Sequence, residues 1–458
     1  MTELLPLPDD PEALQAEVLR LRKVVTALIR RAEKSTTTLE SAESGFTLYH
    51  TAALLEDHVR ERTLDLQGRR PEQRADLDCL AAVADALDDD TRRAELALRN
   101  SLLSGRVGDY AAQQRHAAEA LALATRADDA ARGLNARRLF ADARVRQGDL
   151  AAGEPMVREG LAEARARGWQ DLESRFLNAL AVIAGRRQDV VAMLEASREA
   201  TALRGALGDR RNQATGLVTE GIGWLELGEL ERADECLQQG LQLQRAIGDH
   251  VTVPIALANL SQLALWRGDA ALACSQGREA VEAAVSAQSA DLEVLALWTL
   301  GNALLEDPVG PGLSAGVPAA VPGAQRLAQA RTAFGRALEL ASASGSPLRF
   351  DALAGQARAA LAAGDLALAQ RAAATLLAHL DQGGGFDGAA AQALVDWTCH
   401  LVLAAAGDAR ATALLERAHQ ALVERAGALG DPGRRQTFLE RVPVHRALVG
   451  AWLSRTAG

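Results

Sequence analysis

Aromatic residues make up only 3% of the 458 positions. With so few aromatic strand formers, a β-sandwich or barrel is disfavoured. Cysteine is also scarce. Cys79, Cys236, Cys274 and Cys399 are the four present, and none lies within four residues of another. That excludes zinc-ligand and thiol-redox spacing. Each reads as a small apolar residue in helical sequence, in keeping with a reducing compartment. There is no excess of basic charge. The net charge is −10 and the pI about 5.5, so no nucleic-acid partner is expected, although a local basic surface is compatible with these totals. No run of 18 apolar residues occurs, so no membrane span is expected. The opening "MTELLPLPDDPEALQ" lacks a basic region followed by an apolar core. The expected location is cytoplasmic.

Recognisable catalytic motifs are missing too. There is no Gly-x-x-x-x-Gly-Lys-Ser/Thr phosphate loop, no Gly-x-Ser-x-Gly elbow and no His-Glu-x-x-His pair. His116, His250, His379, His400, His419 and His445 are scattered along the chain. Cys399 and His400 are adjacent in helical sequence, which points their side chains apart. No catalytic residue, cofactor or metal is expected. An enzyme site gathered from distant residues would leave no such local trace.

What the chain has is helix-forming sequence, with 48% apolar and 24% charged residues and abundant Ala, Leu and Arg. Residues 1–11 are expected to be disordered. From 12 to 68 the apolar steps alternate between four and three. Leu14, Val18, Leu21, Val25 and Leu28 form one seam; Leu48, Leu55, Val59 and Leu66 belong to a second. A Ser/Thr-rich break separates them. The seams fit a coiled coil that dimerises the chain, or an amphipathic helix packed on the rest of it. The stretch "LEDHVRERTLDL" (55–66) resembles the helical connector of bacterial sensor kinases and diguanylate cyclases. No phosphoacceptor box, ATP lid or cyclase signature follows it.

Helices dominate from residue 75 to 425. Gly108, Gly148, Gln188, Gly228 and Gly268 recur every 40 residues, each followed by an acid: Asp109, Asp149, Asp189, Glu229 and Asp269. Gly364-Asp365 and Gly407-Asp408 continue the series at looser spacing. Glycine ends a helix readily because it takes positive φ, and the acid caps the next one. Seven residues before each mark stand Ser101, Ala141, Ala181, Gly221 and Ser261; twelve after it stand Ala120, Gly160, Ala200, Gly240 and Ala280. Ten small residues in register let facing helices approach closely.

This pattern, clearest in "ALANLSQLALWRGDAALACSQGREAVEAA" (256–284), resembles the tetratricopeptide repeat. Its period of 40 exceeds the family's usual 34, and the excess is expected after the second helix of each pair. The resemblance extends to the helical arms of bacterial signal-transduction ATPases and LuxR-type activators, whose closing segment is similar to 427–452. It implies an all-α, right-handed solenoid of about eight helix pairs, with a capping helix over 426–458. One interruption, residues 306–324, holds "EDPVGPGLSAGVPAAVPG", with four prolines and four glycines. It reads as a surface loop, and either an inert insertion or a partner contact.

The family pattern places the residues two, three and six before each mark on the inner face. Two before it stand Arg106, Arg146, Arg186, Glu226 and Trp266. The arginines form either a ladder for an acidic peptide or a solvated face. Asn178 and Gln262 add polar groups for a peptide backbone. Trp266 is either an anchor or an interface residue. The leading expectation is a non-enzymatic scaffold for a protein or peptide segment in bacterial signalling or regulation. Its rivals are a signalling-peptide or small-ligand sensor, and the regulatory subunit of a separately encoded kinase or cyclase.

Overall fold

The computed structural model describes residues 74, 77, 89–106, 108–187, 189–306, 323–382, 385–386 and 389–456. The coiled-coil expectation for 12–68 lies outside these residues, as does nearly all of the Pro/Gly-rich interruption. The described residues form eighteen α-helices and no strand.

The first ten are α1 (Asp90–Arg106), α2 (Tyr110–Arg126), α3 (Ala130–Arg146), α4 (Leu150–Ala166), α5 (Gln170–Arg186), α6 (Val190–Ala206), α7 (Arg210–Glu226), α8 (Leu230–Ala246), α9 (Val253–Trp266) and α10 (Ala270–Ser286). From α1 to α8 each helix has 17 residues, with a linker of three between neighbours; six residues, 247–252, separate α8 from α9. The 40-residue repeat is therefore two halves of 20. Of the connections before α9, only the one after α8, within "RAIGDHVTV", is longer; up to α8 the excess over 34 is not carried as a longer connection after the second helix. The reason is that both connections use the same turn chemistry.

That turn closes the C-terminus of one helix and opens the next. At the end of α3, Gly148 N–H donates to Val145 O at 3.1 Å and Asp149 N–H to Arg144 O at 3.0 Å. This pair of bonds requires the left-handed φ of +94° that Gly148 adopts. Asp149 then accepts from Ala152 N at 3.1 Å, satisfying a free amide of α4. Asp109, Asp129, Asp209, Asp269 and Asp365 make the same cap on Ala112, Arg132, Asn212, Leu272 and Leu368. The intervening turns reach positive φ at Asp128, Gly168, Gly208, Gly248 and Gln288.

The small-residue columns are buried. Ser101, Ala141, Ala181 and Ser261 are at most 2% exposed, as are Ala120, Ala200 and Ala280. The two serines also bond across the pair. Ser101 Oγ donates to Gln113 O at 2.9 Å and Ser261 Oγ to Ala273 O at 2.8 Å. Each such bond contributes about 1 kcal/mol.

By contact density the chain divides into two units: residues 1–183, 199–214 and 243–250, and residues 184–198, 215–242 and 251–458. In the first, Phe176 and Leu134 are fully buried in a cluster with Val157 and Leu161. A Cβ at Gly160 would strike the Phe176 ring, so glycine makes room for it.

The second unit continues with α11 (Ala290–Leu305), α12 (Ala324–Ser344), α13 (Arg349–Ala362), α14 (Leu366–Asp381), α15 (Gln392–Ala405) and α16 (Arg410–Ala428). Phe334 anchors one of its clusters, against Trp298, Leu304 and Ala359. Where one capping helix is expected over 426–458, two short helices follow: α17 (Pro432–Arg441) and α18 (Pro443–Thr456). The break is at Val442, which is extended at φ −76°, ψ 116° because Pro443 follows it. The turn between α7 and α8 belongs to the same unit, and α17 packs on it. Arg441 Nη1 pairs with Glu231 Oε2 at 3.0 Å. A Cβ on Gly228 would lie 3.0 Å from Thr437 O.

Candidate functional site

Within the second unit, α9, α11 and α13 are the first helices of successive pairs and stand side by side, with α15 next to α13. Equivalent positions on stacked repeats bring their side chains into a row. Gln262 lies six residues before Gly268, and Arg358 six before Gly364. One 40-residue step from Gln262, just short of the interruption, gives Asn302 the same position on α11. These three polar residues converge on one recess of about 60 Å³, several times the ~10–15 Å³ that one water needs.

Apart from Thr299 on α11, its remaining walls are apolar. Leu265 and Trp266 come from α9, Trp298 from α11, and Leu394 from α15. Pro443 and Val444, the first residues of α18, form one side. They directly follow Arg441 and Val442, whose side chains lie against the Gly228 turn. Trp298 is 4% exposed, while Trp266 and Gln262 are half-buried. The recess thus presents an indole and an amide at its opening and an arginine inside.

Arg358 is the decisive residue. It is 5% exposed, and its Nη1 donates to Asn302 Oδ1 at 2.7 Å. Its buried Nε has no hydrogen-bond partner among the described residues. An unpartnered buried donor costs about 1–3 kcal/mol. Burial holds the Arg358 pKa below the usual value, partly offset by the attraction of Glu306. Glu306, also nearly buried, is pushed upward by desolvation against the pull of Arg358 and Arg326. Arg326 donates to Ala303 O at 2.9 Å.

A second acid orders the wall. Asp351 is 1% exposed on α13, and its two carboxylate oxygens accept from Ala390 N and Ala391 N at 2.9 and 3.0 Å. These bonds fix the entry to α15, where Ala391 lines the recess. Desolvation nevertheless pushes the Asp351 carboxyl up to about 7.

The residues expected on the inner face fare unequally. Gln262 and Trp266 meet in the recess. Arg146 is held by Asp142 on its own helix at 3.0 Å and lies over the Tyr110 ring. Asn178 is half-buried on α5, and Arg186 is exposed at the end of that helix. Glu226 is exposed at the end of α7, within electrostatic reach of Arg425. Arg106 ends α1, and its side chain lies outside the described set. Trp298, Asn302, Arg358 and the 443–444 wall are additions from the structure. Cys399 and His400 do diverge. Cys399 is in a core cluster, whereas His400 Nδ1 lies 2.9 Å from Ala411 O. Among the described residues no group of three potential ligands could hold a metal ion, and no helix is long and apolar enough to cross a membrane.

No family model matches the sequence, and no curated protein matches it. Solved structures do. A Rap protein complexed with competence and sporulation factor aligns over 79% of this chain and 99% of its own, with a TM-score of 0.54 and 12% identity. The fold is that of tetratricopeptide-type helical repeats. Two further structures align less closely. The apo form of RapI covers 80% of this chain and 99% of its own, at TM-score 0.49 and 12% identity. A signal-transduction ATPase with a tetratricopeptide repeat sensor from Pyrococcus horikoshii covers 83% of this chain and 55% of its own, also at 0.49 and 12%.

Proposed function

We propose that this chain is a non-enzymatic helical-repeat adaptor that binds a peptide or protein segment, and that the recess among α9, α11, α13, α15 and α18 is its main contact point. The observation that carries this reading is the buried Arg358 Nε, unpartnered beside an apolar pocket with a tryptophan at its opening. An extended segment has what the recess lacks: carbonyl oxygens for the Arg358, Asn302 and Gln262 donors, and an apolar side chain to place against Trp266. The solved Rap complex, with competence and sporulation factor bound, supports the reading by likeness of fold. Arg106, Arg146, Asn178, Arg186 and Glu226 are secondary candidates, suited through their arginines to an acidic segment. A cytoplasmic setting in bacterial signalling, and dimerisation through 12–68, complete the proposal.

The test is selection of peptides from a random displayed library on the full chain, followed by titration of the selected peptides. Wild type should bind them saturably. Trp266→Ala combined with Gln262→Ala should weaken them by about tenfold or more. Equal binding by the double variant, or no enrichment at all, overturns the assignment.

A further inference from the structure

We propose that α17 is an autoinhibitory clasp: seated on the turn between α7 and α8, it covers the continuation of the recess towards α7, and a partner segment must unseat it to bind along the groove. This rests on the reading of the recess as a binding site and adds its regulation.

The contact is more than a cap requires. A helix that only closes a stack covers the last pair. Helix α17 reaches a turn that lies 210 residues back in sequence, where Arg441 Nη1 meets Glu231 Oε2 at 3.0 Å. A Cβ on Gly228 would lie 3.0 Å from Thr437 O, 3.1 Å from Arg441 Cβ and 3.4 Å from Val442 Cγ2. The seat is therefore a glycine whose missing side chain lets the C-terminal backbone come down onto it.

That seat lies in line with the recess. Glu226 holds on α7 the position that Trp266 holds on α9, each two residues before its turn glycine. Trp266 lines the recess, so Glu226 marks the next step along the row. C-terminal residues already attend that step. Arg425 of α16 acts electrostatically on Glu226 and lies over the Phe438 ring at 5.5 Å. Val442 follows, buried against the turn, and then Pro443 and Val444 in the recess wall. The chain's own residues 438–444 thus run between the turn and the recess. An extended segment longer than the recess competes with them for this space.

The seat is weak enough to yield. Of the residues of α17 only Phe438 is buried. Arg441 and Glu231 are both more than half exposed, and exposed ion pairs contribute little. Arg435 Nε donates to Ala426 O at 3.2 Å, and His445 Nδ1 lies 2.9 Å from Phe438 O. Those bonds join α17 to α16 and α18, and none of them holds the turn. A segment with few buried contacts opens locally at low cost. Helix α18 stays anchored, with Leu448 buried and its flank packed on α15 and α16.

The experiment selects peptides from a random displayed library on the full chain and on its Arg441→Glu variant in parallel, then titrates them against both. The variant sets a second acid against Glu231 and changes no residue of the recess. Apparent affinity scales with the binding-competent fraction, so the peptides should bind Arg441→Glu about threefold to tenfold more tightly than wild type. Adding Glu231→Arg to that variant should restore the wild-type affinity. Gly228→Ala, which crowds the seat from the other side, should also tighten binding. Gly148→Ala, at a left-handed turn with open space around it, should not. Hydrogen exchange over 432–442 should quicken in the free Arg441→Glu variant, and in wild type saturated with peptide. Circular dichroism confirms the helical fold of each variant, and the exchange of peptide-bound wild type stands independently of all of them. Equal or weaker binding by both Arg441→Glu and Gly228→Ala overturns the proposal, as does unchanged or slower exchange in peptide-bound wild type. In either case saturable binding by wild type, lost in the Trp266/Gln262 double variant, leaves the adaptor reading intact. Enrichment on neither chain removes both.

Discussion

Arg358 donates a buried 2.7 Å hydrogen bond to Asn302, 56 residues away in sequence and one repeat away in register. It makes the two substitutions unequal. Arg358→Met removes a buried cation and its orphan Nε together, and should change stability by no more than about 1–2 kcal/mol in either direction. Asn302→Ala leaves the guanidinium buried with one partner fewer and should cost about 3 kcal/mol or more. Denaturant midpoints of the two variants check this ordering.

Gly148 and Gly228 both hold left-handed turns, at φ +94° and +77°. Nothing lies within 4 Å of a Cβ at Gly148, whereas Thr437 O and Arg441 Cβ crowd one at Gly228. Gly148→Ala should cost about 1–2 kcal/mol of conformational strain. Gly228→Ala should cost more, and should also loosen α17 and α18. Hydrogen exchange over 432–456 distinguishes the two, with faster exchange only in the Gly228 variant.

Asp351 gives a pH signature of one sign. Its folded pKa, about 7, stands above the ordinary 3.8. The folded chain therefore holds a proton that the unfolded chain has lost between those values. Stability from this group is greatest below pH 4 and is lost as pH rises towards 7. Asp351→Asn should flatten this part of the profile, measured as Tm from pH 4.5 to 7.5 relative to wild type.

His445 gives the opposite sign. Desolvation lowers its pKa from 6.5 to about 4, with Arg425 adding to the effect and the bond to Phe438 O opposing it. The unfolded chain takes up a proton that the folded chain refuses, so stability is lost as pH falls from 6.5 towards 4. The imidazole packs on Phe438 with ring centroids 4.2 Å apart. Proteolysis between α16 and α18 should accelerate below pH 6, and His445→Gln should reduce the acceleration.

The helical repeat was legible because glycine and a following acid are local signals of a local event. The alternate turns were harder to read. Asp128 and Gln288 take positive φ without glycine, and Trp169 stands where the cap acid would be. The equality of the half-repeats, and hence the place of the excess length, was hidden for that reason. In the recess, Gln262 and Trp266 were readable from their offset to Gly268. Asn302 and Arg358 share the Gln262 offset, but the interruption hid it. Gly364 follows Gly268 by 96 residues instead of two steps of 40. The contribution of Pro443 and Val444 depends on tertiary folding of α18, which no periodicity encodes. The arginine column was readable too, and Asp142, four residues before Arg146, stands at the spacing of a helical ion pair, which favoured the solvated-face alternative there.

The most direct test of the account is to fill the recess without touching its charges. A library-selected peptide titrated against wild type and Leu394→Trp, both shown by circular dichroism to retain the helical fold, should bind wild type at one site and the variant about tenfold more weakly or worse. Indistinguishable affinities would contradict the assignment of the recess as the place where this protein meets its partner.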